Sequence, residues 1–298
     1  MRFLSAKLEI WKVRAHDAKR TVRAFFRNPL SVAGLTIVCG FFILGFIAPY
    51  VTPYPDDVTG SIHTKQRLQT PSREHLFGTD DVGRDVYSRV IYGTRISLQI
   101  ALVIVGVATC IGVPLGLVAG SSGGVIEEVI MRFTDIFLAV PGIVLAVTIV
   151  SALGPGIINV MVALSIVWWP GYVRLVRGKA KALREEVFVE ASMAIGSSKA
   201  RIMFRHILPN CFSIVTVKMS MDMGMAILSA AGLGFIGIGA QPPSPEWGVM
   251  ISGGRWYLPT WWWYAVFPGL AIWLTVLGFN LLGDGLRDVL DPKQRGRY

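Results

Sequence analysis

Residues 190–209 read Glu-Ala-Ser-Met-Ala-Ile-Gly-Ser-Ser-Lys-Ala-Arg-Ile-Met-Phe-Arg-His-Ile-Leu-Pro and lie between two apolar runs. From residue 180 to Ile195, alternating basic and apolar residues continue a helix out of the preceding run. Gly196 can end that helix, because glycine takes the left-handed backbone at a helix C-terminus without steric cost. Ser197 or Ser198 can cap a second short helix by accepting from its free N–H groups, and Pro209 follows. The segment predicts a helix–turn–helix projecting from its neighbours, so the nature of the flanking runs decides the fold.

Those runs are long enough to be membrane spans. The chain has 298 residues, of which 53% are hydrophobic and 16% charged, against about 25% charged residues in soluble domains. A bilayer core takes about 20 apolar residues to cross. Candidate spans lie at about 30–50, 96–120, 126–150, 157–177, 212–240 and 262–283. The expected fold is an all-α integral membrane domain of six transmembrane helices over 29–298, preceded by a cytoplasmic N-terminal segment, 1–28. The net charge of +10 lies between the spans, where lipid headgroups and topology account for it. A nucleic-acid partner is not expected.

Charge asymmetry sets the orientation. Residues 2–27 carry eight Lys/Arg against Glu9 and Asp17, and 174–210 carry eight against Glu185, Glu186 and Glu190. The 51–95 loop is balanced at six and six. Cytoplasmic termini and a cytoplasmic 178–210 loop follow, with 51–95 and 241–261 outside. Leu4, Leu8, Trp11, Ala15, Ala18, Val22 and Phe25 recur at steps of three and four, which predicts a basic amphipathic helix on the membrane surface. The first apolar run begins only near Leu30, after this basic stretch, and fits a retained span rather than a cleaved signal.

Several local patterns concern packing. Gly112, Gly116 and Gly120 recur at steps of four, which lets helix backbones approach closely in lipid. Pro114 and Pro141 imply kinks within spans. Trp and Tyr between Trp247 and Trp263 read as an aromatic belt or, alternatively, a partner surface. Cys39, Cys110 and Cys211 read as small buried apolar side chains without a disulfide framework. Arg132 and Asp135 read as an ion pair at the start of the third span.

The search for catalytic or cofactor motifs leaves no enzyme reading. Gly232-Leu-Gly-Phe-Ile-Gly237 matches a dinucleotide fingerprint in letters only, since it lies in an apolar run with no strand before it. There is no Gly-x-x-x-x-Gly-Lys-Ser/Thr loop, no Gly-x-Ser-x-Gly and no His-Glu-x-x-His. His63 and His75 share one loop, but two histidines alone do not make a metal site.

Glu190-Ala191-Ser192, Gly196, His206 and Leu208-Pro209 resemble the cytoplasmic coupling loop of ABC import permeases. Four further strings resemble the peptide and nickel branch, and within it the second, C-type, subunit. They are Phe77-Gly-Thr-Asp-Asp-Val-Gly-Arg-Asp, Met131-Arg-Phe-Thr-Asp, Gln241-Pro-Pro-Ser-Pro-Glu-Trp-Gly, and Phe279-Asn-Leu-Leu-Gly-Asp-Gly-Leu-Arg-Asp-Val-Leu-Asp-Pro-Lys. The resemblance covers about residues 25–293. It departs at Ala230-Ala-Gly-Leu-Gly-Phe, where many members have Glu-Ala-x-Leu-Ser-Phe, so no role of that Glu carries over.

The resemblance implies half of a translocation path in a bacterial cytoplasmic membrane. It implies a homologous second permease, two ATPase subunits carrying ATP and Mg, and an extracytoplasmic binding protein. This chain is then no enzyme and binds no cofactor. The family's substrates include dipeptides, oligopeptides, nickel chelates, glutathione and opines. A secondary transporter or channel is the competing class, but intramembrane charges are few and no repeat is evident. The charges in question are Lys218 and Asp222 in the fifth span, four apart and so on one helical face. They read as a structural ion pair or as a polar lining of the path.

Overall fold

The structure is a computed structural model that describes residues 22–290. Most of the expected N-terminal helix lies outside the described residues; its last turn, 22–27, is helical. The described residues form an all-helical bundle. In chain order come α1 (Pro29–Val51), α2 (Asp56–Thr59), α3 (Val86–Ser122), α4 (Gly124–Leu138) and α5 (Gly142–Leu153). Then follow α6 (Ile157–Arg184), α7 (Val187–Ala194), α8 (Lys199–Ile202), α9 (Leu208–Phe235), α10 (Trp247–Gly254) and α11 (Trp263–Leu290). Five helices are long and apolar enough to cross a membrane, and α4 with α5 makes a sixth if the bent pair counts as one span.

The starts of the first two spans follow from capping. Asn28 accepts from the Leu30 N–H at 3.0 Å, and Pro29 takes a first-turn position where its missing N–H costs nothing. Helix α3 begins ten residues earlier than hydropathy suggests, because the Asp85 carboxylate accepts from the Ser88 N–H at 2.7 Å and offsets the positive N-terminal dipole.

The third expected span is not one helix. It bends by 82° between α4 and α5. Pro141 has no N–H and pushes its predecessor out of helical geometry. Arg132 and Asp135 do not pair with each other: Arg132 reaches Glu128 at 2.7 Å and Asp135 meets Arg174 of α6 at 2.6 Å. Glu127 pairs with Arg177 of α6. Two cross-helix ion pairs thus tie α4 to α6.

The glycine seam of α3 closes on α6. A Cβ on Gly112 would lie 2.5 Å from Tyr172 Cβ, and one on Gly116 would lie 2.6 Å from the Val173 carbonyl. Contact this close lets dispersion forces act between whole backbones.

At one end of the bundle, residues 52–85 and 236–262 form a cap. Asp57, Asp80, Asp85, Arg84, Arg89 and His75 are all buried there. Asp80 accepts from the N–H groups of Val82 (3.0 Å) and Arg84 (2.8 Å) and from Arg84 Nε (2.7 Å). Asp57 accepts from the Asp85 N–H at 2.8 Å, and Arg89 donates to the Asp57 carbonyl at 2.9 Å. The histidines sit on separate carboxylates, His63 on Asp57 at 2.8 Å and His75 on Asp85 at 2.9 Å. The tryptophans of this cap divide into two groups. Trp247 and Trp263 are core residues donating to the carbonyls of Val90 (3.0 Å) and Thr79 (3.2 Å), whereas Trp256 and Trp262 are exposed. Of the cysteines, Cys211 is buried and Cys39 and Cys110 are exposed, so their apolar surroundings are not supplied by the chain itself.

Candidate functional site

The opposite end of the bundle carries the loop between α6 and α9. The expected helix running out to Ile195 is interrupted at Glu185–Glu186, and α7 starts afresh at Val187. Gly196 then turns the chain with φ at +80°, a conformation that an L side chain rarely adopts. The Ser198 hydroxyl caps α8 by accepting from the Arg201 N–H at 3.3 Å.

The second short helix does not stop at Pro209. A π turn, Met203–Ile207, joins α8 to α9. Pro209 has no N–H to give the preceding turn, and the wider turn absorbs the defect. Asn210 Nδ2 donates to the His206 carbonyl at 2.6 Å. The loop therefore runs without a break into one continuous helical stretch, Lys199–Phe235.

A small core of its own holds the loop to the bundle. Val189 of α7, Ile202 of α8 and Ile207 of the π turn pack with Leu117 of α3, Val176 and Leu183 of α6, and Cys211 of α9. Of the residues singled out in the sequence, Ser192 is buried, His206 and Leu208 are half-buried, and Glu190, Ala191, Gly196 and Pro209 are exposed. What the sequence reading missed is the apolar outer surface. Val187 is 77% and Ile195 83% exposed, joined by Phe188, Met193 and Phe204. The available signal was five large apolar residues inside a segment that reads as polar and basic.

A second group lies inside the bundle. Lys218 Nζ is 3.0 Å from one oxygen of Asp222 and donates to the other at 3.2 Å. The ammonium also stands 5.0 Å from the Tyr172 ring centroid, within cation–π range. Tyr172 and Thr109, which the sequence did not mark, complete this group.

The family described as binding-protein-dependent transport system inner membrane component matches residues 112–296. A second pattern, the N-terminal TM domain of oligopeptide transport permease C, matches residues 18–71. The chain belongs to this family of C-type permeases. It is similar to the dipeptide transport system permease protein DppC of Alkalihalophilus pseudofirmus, 46% identical over 90% of this chain and 88% of the relative. The glutathione transport system permease protein GsiD of Pectobacterium atrosepticum is 44% identical over 91% and 89%. In fold, the chain matches a chain from the inward-facing MetNI methionine ABC transporter. The TM-score is 0.54 at 19% identity, over 67% of this chain and 96% of that one.

The protein is thus a multi-pass membrane subunit of an ABC importer. The permease's departure at Ala230 and Gly234 has a structural counterpart. Ala230 is buried, and a Cβ on Gly234 would lie 2.7 Å from Glu246 Oε2. The Glu246 carboxylate fills that space and caps α10, accepting from the Val249 N–H at 3.0 Å.

Proposed function

We propose that this permease subunit imports small peptides and that its α6–α9 loop docks on a separate ATPase. The carrying observation is the exposed apolar surface at Val187, Phe188, Met193, Ile195 and Phe204 on a projection fixed by its own core. Apolar side chains at the water-facing end of a membrane protein gain by association. A firm anchor lets a push on α7 reach α6 and α9 as rigid-body motion. ATP and Mg bind on the partner ATPases, and this chain binds no cofactor. A homologous second permease completes the path, and an extracytoplasmic protein delivers the substrate at the cap. The positive-inside rule then puts the loop and both termini in the cytoplasm. The substrate class rests on relatives named for dipeptide and glutathione transport.

The test uses cells carrying the whole transporter. Uptake of a dipeptide or of glutathione is expected with the native chain. Gly196→Pro and Glu190→Lys are expected to leave the protein in the membrane but to separate ATP hydrolysis from uptake. Normal uptake with both variants overturns the docking role. Single-cysteine labelling that reaches residue 199 from outside overturns the orientation.

A further inference from the structure

Lys218 and Asp222 are the intramembrane ions of α9, and they border open space. Side-chain exposure is 30% for Lys218 and 14% for Asp222. Gly171 of α6 lies against the Lys218 stem, its virtual Cβ 3.6 Å from Lys218 Cε. Charges facing hydrocarbon are costly, so charges in a span face a water-filled cavity or a protein partner. The partly exposed pair fits a surface turned toward a water-filled path better than one turned toward lipid.

The group also has unspent hydrogen-bonding capacity. The Tyr172 hydroxyl faces both Asp222 and Thr109. Yet Tyr172 Oη and Thr109 Oγ1 are buried and make no well-aligned hydrogen bond. Buried polar atoms left unsatisfied are costly, so a group supplying donors and acceptors here is favoured.

We propose that Lys218 and Asp222 recognise the charged ends of a zwitterionic peptide as it passes, with Tyr172, which faces both, positioning the pair. In this exchange the peptide ammonium takes Asp222 and the peptide carboxylate takes Lys218. Two ion pairs replace one, and net charge in the path stays at zero throughout. A compensated pair of this kind binds without becoming a trap, as conduction requires. A peptide with both ends blocked has nothing to exchange. The inference rests on the peptide-importer reading above, which leaves open how a path without a net charge selects peptides.

The experiment uses the assembled transporter in ATP-loaded proteoliposomes with its binding protein. The probes are alanyl-alanine and N-acetyl-alanyl-alaninamide. The variant is Lys218→Met with Asp222→Leu, which removes both charges together and leaves no orphan ion. Assembly and binding-protein-stimulated ATP hydrolysis are expected to persist. Uptake of alanyl-alanine is expected to fall about tenfold, the loss of one charge-assisted hydrogen bond, with no fall for the blocked peptide. Tyr172→Phe is expected to raise the half-saturation concentration for alanyl-alanine and leave the maximal rate alone. Native uptake by the double variant, or its failure to assemble, overturns the proposal. Absence of alanyl-alanine uptake by the native transporter overturns the peptide reading instead.

Discussion

The cap at residues 52–85 buries its charges, whereas the loop at residues 185–207 exposes its apolar side chains. In the cap, Asp57, Asp80 and Arg89 are shielded from water and bonded to one another's backbones and side chains. Each partner must be in place before any other is satisfied, so the cap stands or falls as a unit. In the loop, Val189, Ile202 and Ile207 point inward, while Val187 and Ile195 face out. Its outward residues have no partner among the described residues, so their energy is released only on association. One end of the bundle is finished within the chain, and the other leaves apolar side chains exposed, as the proposed docking on an ATPase requires.

The largest expected effect lies in the cap. Asp80→Ala leaves Arg84 buried without its 2.7 Å partner, at a cost of about 3–5 kcal/mol. A markedly lower thermal unfolding temperature of the purified transporter is the expected reading. An unchanged temperature means that water satisfies these charges and the contrast between the ends is false.

The inward side of the loop comes next. Val189 has no exposed surface, and Val189→Asp places an unpaired carboxylate in the loop's core at about 3 kcal/mol. Raised protease cleavage between α6 and α9 is the expected result.

A subtler effect concerns Glu246, which is outside the spans. Burial pushes its carboxyl pKa up, partly offset by the N–H groups of Gly248 and Val249. A raised pKa means the folded form holds the proton more tightly than the unfolded form. The stability this adds is fully present below the ordinary carboxylate range and is lost as pH rises through the raised value. Glu246→Gln keeps an accepting oxygen for the Val249 N–H and is expected to flatten that pH dependence. An identical pH profile of unfolding in both proteins counts against it.

The smallest effect on stability is expected at Ile195. As it is 83% exposed, Ile195→Asp changes folding stability by no more than about 0.5 kcal/mol while weakening capture of the ATPase. Full ATPase capture by this variant refutes the outward half of the comparison.

Much of the candidate site was legible in the sequence because it is local. Gly196 marks a left-handed turn and Ser198 a cap whatever surrounds them, and Lys218 meets Asp222 because four residues make about one helical turn. Other features were not legible. Arg132 and Asp135 look like partners at i, i+3, yet Asp135 pairs with Arg174, 39 residues away. Glu246 sits in a proline-rich string with no sign that its carboxylate fills the place beside Gly234. Such choices depend on which helices become neighbours, and spacing along one helix does not encode that.

By itself the sequence determined the number of apolar runs, the class of fold and the turn and caps of the loop between the fourth and fifth runs, because hydropathy, caps and glycines act over one or two helical turns. Only the tertiary structure decided where the third run breaks, which charges pair, that Tyr172 and Thr109 join Lys218 and Asp222, and which face of α7 remains outside. Each of those outcomes is set by contact between segments far apart in the chain, where close packing and the cost of an unpaired buried charge select one arrangement.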